Sequence, residues 1–171
     1  MSISRNTWLW VSFLALTLVL SVGYKLFYPM GEGPQIDFPQ TRRPPEELRQ
    51  FLSGNFVIID RVQSLPKAVG IAFTEAAGIR STMANPGQRF EASDVILTPG
   101  TPGKRLILGG VYGDRCFVHH EQGGIAHSYD LEFFKLLSTD GAKPVWKGYC
   151  DRATDLNDLR DQLERGGCQS Q

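Results

Sequence analysis

The chain has no excess of charge of either sign, because 18 lysines and arginines balance 18 aspartates and glutamates among its 171 residues. It therefore carries no net field that would draw it to nucleic acid or to an acidic surface, and we expect no nucleic acid among its partners. Internal repeats and long low-complexity tracts are also lacking, and a 42% hydrophobic composition is typical of a folded chain. The length suits one modest domain plus an appendage.

Cysteine is scarce as well. The chain has three, Cys116, Cys150 and Cys168, and no two of them stand in CxxC spacing. The absence of CxxC spacing excludes the common thiol redox motif and the paired cysteine ligands of most structural zinc sites. The candidate disulfide joins Cys116 to Cys150, which both fall in predicted strands, and the alternative is that each remains a buried free thiol packing as a small hydrophobe.

A phosphate-binding loop is missing, although TPGTPGK at residues 98–104 shares some of its letters. Only two residues separate Gly100 from Gly103, and Arg105 follows Lys104. The GxxxxGK[ST] motif needs a longer spacer and a hydroxyl residue after its lysine. The sequence therefore gives no support to a nucleotide-binding function.

A constellation for nucleophilic catalysis is also lacking. His119, Ser128 and Asp130 fall on one face of a predicted hairpin and offer a base, a hydroxyl and a carboxylate. A serine in the middle of a strand, however, has neither a strained turn to expose it nor an oxyanion hole beside it. We therefore predict no catalytic residues and no cofactor, and we favour a function that is not enzymatic.

The strongest positive signal is the apolar segment WLWVSFLALTLVLSVGYKLFY at residues 8–28. A helix needs about 20 such residues to cross a bilayer. Amphipathic side chains, which favour the two headgroup zones, stand at its ends: Trp8, Trp10, Tyr24, Lys25 and Tyr28. We predict an uncleaved signal anchor preceded by a short tail at residues 1–7. A secretory signal cleaved near Ser21-Val22-Gly23 is the alternative.

The flanking segments suggest how this anchor presents the rest of the chain. A very short N-terminal tail favours a cytoplasmic N-terminus and an extracytoplasmic domain, although basic residues occur on both sides. Residues 29–45 hold five prolines and two glycines, as expected of an extended linker. The predicted domain covers residues 46–166, and residues 167–171 are predicted to form a tail.

Hydrophobic periodicity predicts an α+β domain with two layers, in which an antiparallel meander packs against helices. The C-terminal segment, residues 154–165, predicts a helix capped by Thr154 and ended by Gly166. The other expected elements are helices at 46–53 and 64–78 and strands at 55–60, 90–97, 104–112, 115–122, 125–137 and 144–150.

All three histidines lie within nine positions, in FVHHEQGGIAHSYD at residues 117–130. If Gly123-Gly124 is a two-residue hairpin turn, His120 faces His127 across the ladder. Adjacent residues of a strand point to opposite faces, so His119 is then separated from that pair. His120 and His127 are accordingly the candidate functional pair.

A three-residue loop would change the register. It puts His119 opposite His127 with Glu121 beside them, and two histidines with one carboxylate can hold a metal ion. The sequence therefore leaves two functions open. The favoured one is a single-pass membrane protein whose extracytoplasmic domain binds other proteins of the cell envelope; the alternative is a metal-binding or hydrolytic domain that uses the histidine hairpin.

Overall fold

The computed structural model describes residues 46–75, 83–93, 98–138 and 141–171. The predicted tail, the anchor at 8–28 with its interface residues, and the linker at 29–45 lie outside these described ranges. Within them, no helix is both long enough and apolar enough to cross a bilayer.

The described residues form three α-helices, one short 3-10 helix and seven strands. In chain order these are α1 (Glu46–Phe51), β1 (Val57–Ile59), the 3-10 helix (Val62–Ser64), α2 (Lys67–Glu75), β2 (Met83–Ala84), β3 (Lys104–Tyr112), β4 (Arg115–Gln122), β5 (Ser128–Leu136), β6 (Ala142–Tyr149), α3 (Leu156–Glu164) and β7 (Gln169–Ser170).

The strands make one sheet in the order β1-β3-β4-β5-β6-β7, and β2 pairs with the start of β3 on the same side as β1. All pairings are antiparallel except that of β2 with β3. The predicted α+β class with an antiparallel meander is therefore confirmed. The strand predicted at 90–97 is wrong in its described part, because residues 90–93 are irregular and Glu91 bonds through its N–H to the carbonyl of Pro102.

Helices cover both faces of the sheet, so the two-layer prediction is wrong. The physical reason lies in β4 and β5, whose successive side chains point to opposite faces and are buried on each. The face covered by α1 and α3 contains Leu48, Leu52, Phe117, Leu131, Phe133, Trp146, Leu159 and Leu163. The face covered by α2 contains Val69, Phe73, Leu106, Cys116, Val118 and Phe134.

Helix α3 packs because of its sequence pattern and its caps. Leu159 and Leu163 recur one turn apart and are buried. The N-cap is Asp155 and not the predicted Thr154: its Oδ1 accepts hydrogen bonds from the backbone N–H groups of Asn157 and Asp158 at 2.8 and 2.9 Å. The helix ends before Gly166, as predicted, where φ is 72°.

The C-terminal residues are part of the folded domain. Cys168 forms a disulfide with Cys150, and β7 pairs with the end of β6, which corrects the predicted tail at 167–171. The predicted Cys116–Cys150 bridge is also wrong. Cys116 is a buried free thiol in the core under α2, whereas Cys150 lies in the core on the opposite face, so the sheet stands between their side chains.

Candidate functional site

The register of the histidine hairpin differs from both predicted registers. Gln122 pairs with Ser128 and His120 pairs with Asp130, which leaves residues 123–127 as a five-residue loop that contains His127. Gly123 does not close a tight turn, because its N–H bonds to the carbonyl of Gly103 and its Cα lies against another loop. A Cβ built on Gly123 would overlap the carbonyl oxygen of Glu91.

His119 is a structural residue in this arrangement. Its side chain is fully buried, and the N–H of Ala153 donates a hydrogen bond to its Nε2 at 3.1 Å. The proton is therefore on Nδ1, which donates to the carbonyl of Asp130 at 3.0 Å. Burial lowers the pKa of His119 to about 4. Both ring nitrogens are thus used by the backbone, and the ring joins β4 to β5 and to the segment before α3.

His127 meets Glu121 but not His120, so the predicted pair of His120 and His127 is wrong. The Nε2 atom of His127 lies 2.8 Å from Oε1 of Glu121. The other carboxylate oxygen of Glu121 accepts from Nε of Arg105 at 3.0 Å. Of the alternative metal set His119, Glu121 and His127, the structure brings the last two together, while His119 has no free nitrogen.

A second group of charged side chains lies on the opposite face of the same strands. This is the face covered by α2, and the group lies next to the apolar core on that face. We call His120, Asp130, Glu132 and Lys147 the buried charge cluster. His120 pairs with Asp130 across β4 and β5, and Glu132 pairs with Lys147 across β5 and β6. Strand alternation places all four on one face, and the Phe73 ring from α2 packs against His120 in a T-shaped arrangement.

The contacts inside the buried charge cluster are short. Nε2 of His120 lies 3.1 Å from Oε1 of Glu132. The ammonium of Lys147 lies 3.5 Å from that same oxygen and 3.3 Å from Oδ2 of Asp130. Ser128 donates its hydroxyl to the other Asp130 oxygen, Oδ1, at 2.7 Å. The cluster therefore spans three central strands and includes the two most buried carboxylates of the domain's α2 face.

Neighbouring opposite charges favour the ionised forms of Glu132 and Lys147. Burial by itself raises the pKa of Glu132, but the hydrogen bond from His120 and the positive charges nearby lower it overall. Burial acts to lower the pKa of Lys147, but the charges of Glu132 and Asp130 raise it overall. Burial lowers the pKa of Lys104, whose ammonium lies 5.1 Å from the centre of the Phe73 ring.

The buried charge cluster is not fully hydrogen-bonded. Among the described residues, Nδ1 of His120 and Oδ2 of Asp130 have no hydrogen-bond partner although both atoms are buried. The two Lys147 contacts are longer than the roughly 2.7–2.9 Å of good charge-assisted hydrogen bonds. Such gaps are uncommon in protein interiors and mark this cluster as a candidate site.

Sequence reasoning missed this cluster, although a signal was present. Ser128, Asp130 and Glu132 alternate along a predicted strand, so any register puts all three on one face. What the predicted register got wrong was their partners. It placed His120 opposite His127, whereas His120 lies opposite Asp130.

A further candidate surface lies at the edge of the sheet. Strand β1 ends the strand order, and its Val57 and Ile58 side chains are 73% and 46% exposed. An adjoining groove of about 650 Å³ is lined mostly by apolar residues, such as Pro66, together with Asn55 and Ser64. An edge strand has backbone groups available for pairing with another extended chain.

The described chain thus presents a histidine and carboxylate pair on one sheet face, a buried charge cluster on the other, and an exposed apolar edge. None of these arrangements carries a signature specific to one known activity. Comparison of the chain with models of protein families, with curated proteins and with solved structures finds no match.

Proposed function

We propose that this protein is a single-pass membrane protein whose α+β domain is a non-enzymatic interaction module on the extracytoplasmic side of the cell envelope. The observation that carries the interaction role is the exposed edge of β1, where two large apolar side chains border an apolar groove. Natural edge strands are usually protected by charges, prolines or bulges. Val57, Ile58 and Ile59 provide none of these.

The disulfide supports the extracytoplasmic location. Disulfides persist in oxidising compartments and are rare in the cytoplasm of most organisms. The bond between Cys150 and Cys168 joins the end of the last long strand to the final strand. A domain that uses such a bond to hold β7 beside β6 fits the extracytoplasmic location.

The partner that suits the β1 edge is an extended segment of another envelope protein. Pairing with β1 would add a strand to the sheet through backbone hydrogen bonds, with alternate side chains entering the groove.

Site-specific photocross-linking in native membranes tests the interaction role. A photoreactive amino acid at Val57 should give a discrete cross-linked product, and the same residue at Ile125 should not. Ile125 is a matched control because it is also a large apolar side chain, 93% exposed, but it lies in the β4–β5 loop. Identical product patterns from both positions, or no product from position 57, would refute the proposal.

Protease accessibility tests the location separately. With the outer surface of the cytoplasmic membrane exposed, an added protease should digest the domain while a cytoplasmic marker stays intact. Protection of the domain until the membrane is broken would place it in the cytoplasm. That result would overturn the location while leaving the role of β1 to the cross-linking experiment.

A further inference from the structure

We propose that His120, Asp130 and Glu132 form a binding site for a divalent transition-metal ion, with Zn²⁺ as the probe of choice. The site lies inside the domain and away from the β1 edge, so it is independent of the proposed interaction function. One imidazole and two carboxylates form a mixed nitrogen and oxygen donor set. Zinc and manganese accept such a set, whereas calcium and magnesium prefer sites made only of oxygen ligands.

The donor atoms are already close together. One ligand atom from each of the three residues lies within 4.8 Å of the other two. The closest pair, Nε2 of His120 and Oε1 of Glu132, is 3.1 Å apart. Two ligands that each lie about 2.1 Å from a zinc ion are about 3–4 Å apart. His120 and Glu132 are therefore at ligand spacing, and a small movement of Asp130 completes the set.

A poorly satisfied carboxylate oxygen of the cluster points to the same conclusion. Asp130 is fully buried, and among the described residues its Oδ2 atom has only the 3.3 Å ion pair with Lys147 and no hydrogen bond of good geometry. Ser128 fixes the other Asp130 oxygen at 2.7 Å, which orients the carboxylate and leaves Oδ2 directed to the cluster. Outer partners of this kind commonly hold a metal-binding carboxylate in place.

Lys147 is the residue that a metal ion must displace. Its ammonium lies 3.3 Å from Asp130 and 3.5 Å from Glu132 and so balances their charge. Its side chain is still 17% exposed, and a lysine can keep its stem in place while its charged end moves to water. Metal binding then exchanges one ammonium for one divalent ion, and the lysine keeps its proton.

This exchange predicts opposite effects for two kinds of substitution. Asp130→Asn or Glu132→Gln removes a charged ligand and should weaken zinc binding by at least about tenfold, the loss that even an outer partner of a ligand can cause. Lys147→Met removes the competing ammonium and should strengthen zinc binding. A merely structural ion pair would show no gain from Lys147→Met.

The experiment uses the full chain, purified in detergent and dialysed against Zn²⁺, with bound zinc measured by elemental analysis and affinity by calorimetric titration. Glu121→Gln is the matched control, because it removes the carboxylate of the His127 pair on the opposite face. We expect one equivalent of zinc in the wild type and in Glu121→Gln, less in Glu132→Gln and tighter binding in Lys147→Met.

Two results would overturn the proposal. One is a folded wild-type protein that retains no zinc above the buffer while Lys147→Met shows no gain. The other is loss of zinc from Glu121→Gln with normal binding by Glu132→Gln, which would move the site to His127. If the ligand variants fail to fold, the direction of the Lys147→Met effect decides: tighter binding supports the site, and unchanged or weaker binding refutes it.

Discussion

The disulfide between Cys150 and Cys168 should contribute a large share of the domain's stability. The perturbation is the double substitution Cys150→Ser and Cys168→Ser, or reduction of the wild-type protein. Both cysteine side chains are buried, and β7 pairs with β6 beside the bond. These contacts hold β7 in the folded domain with or without the bond. The bond therefore stabilises the domain mainly by restricting the unfolded chain.

The magnitude follows from the loop that the bond closes. The two cysteines are 18 residues apart, and a loop of that length reduces the entropy of the unfolded chain by about 11 cal/mol/K, or about 3 kcal/mol at 25 °C. Stabilities of small domains are about 5–15 kcal/mol. Loss of the bond should therefore remove a substantial fraction of the free energy of unfolding.

Urea denaturation, followed by tryptophan fluorescence, measures the effect through Trp146 in the core. With a slope of about 1–3 kcal/mol/M, a loss of 3 kcal/mol lowers the midpoint by about 1–3 M. Reduction should lower the wild-type midpoint by a similar amount and should leave that of the double variant unchanged. A shift below about 0.3 M in both tests would refute the loop-entropy reasoning and show that packing alone holds the C-terminus.

Other predictions concern single residues. The pKa of Asp158 is lowered in the folded protein, chiefly by the hydrogen bond from the backbone N–H of Thr154. The ionised Asp158 therefore stabilises the fold fully above the pKa that it has in the unfolded chain, and this stabilisation is lost as the pH falls through its pKa in the folded protein. Asp158→Asn should flatten the acid side of a curve of melting temperature against pH. Burial raises the pKa of Cys116 to about 12, so at pH 8 an alkylating reagent should modify it only after unfolding; rapid labelling of the native protein would contradict its burial. Gly123→Ala should destabilise the domain by about 1–3 kcal/mol because its Cβ overlaps the Glu91 carbonyl, and an unchanged melting temperature would show that the loop can move away.

The central hairpin shows how much the sequence could predict. Strands β3 and β4 have the predicted bounds, because the two-residue turn between them depends only on local residues. The next turn fails for a tertiary reason. Gly123 and Gly124 bond to the carbonyls of Gly103 and Ala92, and a pattern within the hairpin carries no information about those distant loops.

The candidate sites depended on that turn. A shift of three residues in the β5 register changes which side chains face each other, so the predicted histidine pair was replaced by two separate histidine and carboxylate pairs. The disulfide was missed for another reason. Strand β7 has only two residues, too few for any periodicity, and its position next to Cys150 arises from packing against β6.

The position of β7 also has a consequence for the order of folding. Strands β3 to β6 are joined in sequence by short connections, and contacts between near neighbours in the chain form fastest. The pairing of β7 with β6, the last strand of this meander, brings Cys168 to Cys150 in the folded domain. We therefore expect oxidation to follow the assembly of the meander, so that the disulfide records completed folding and does not direct it.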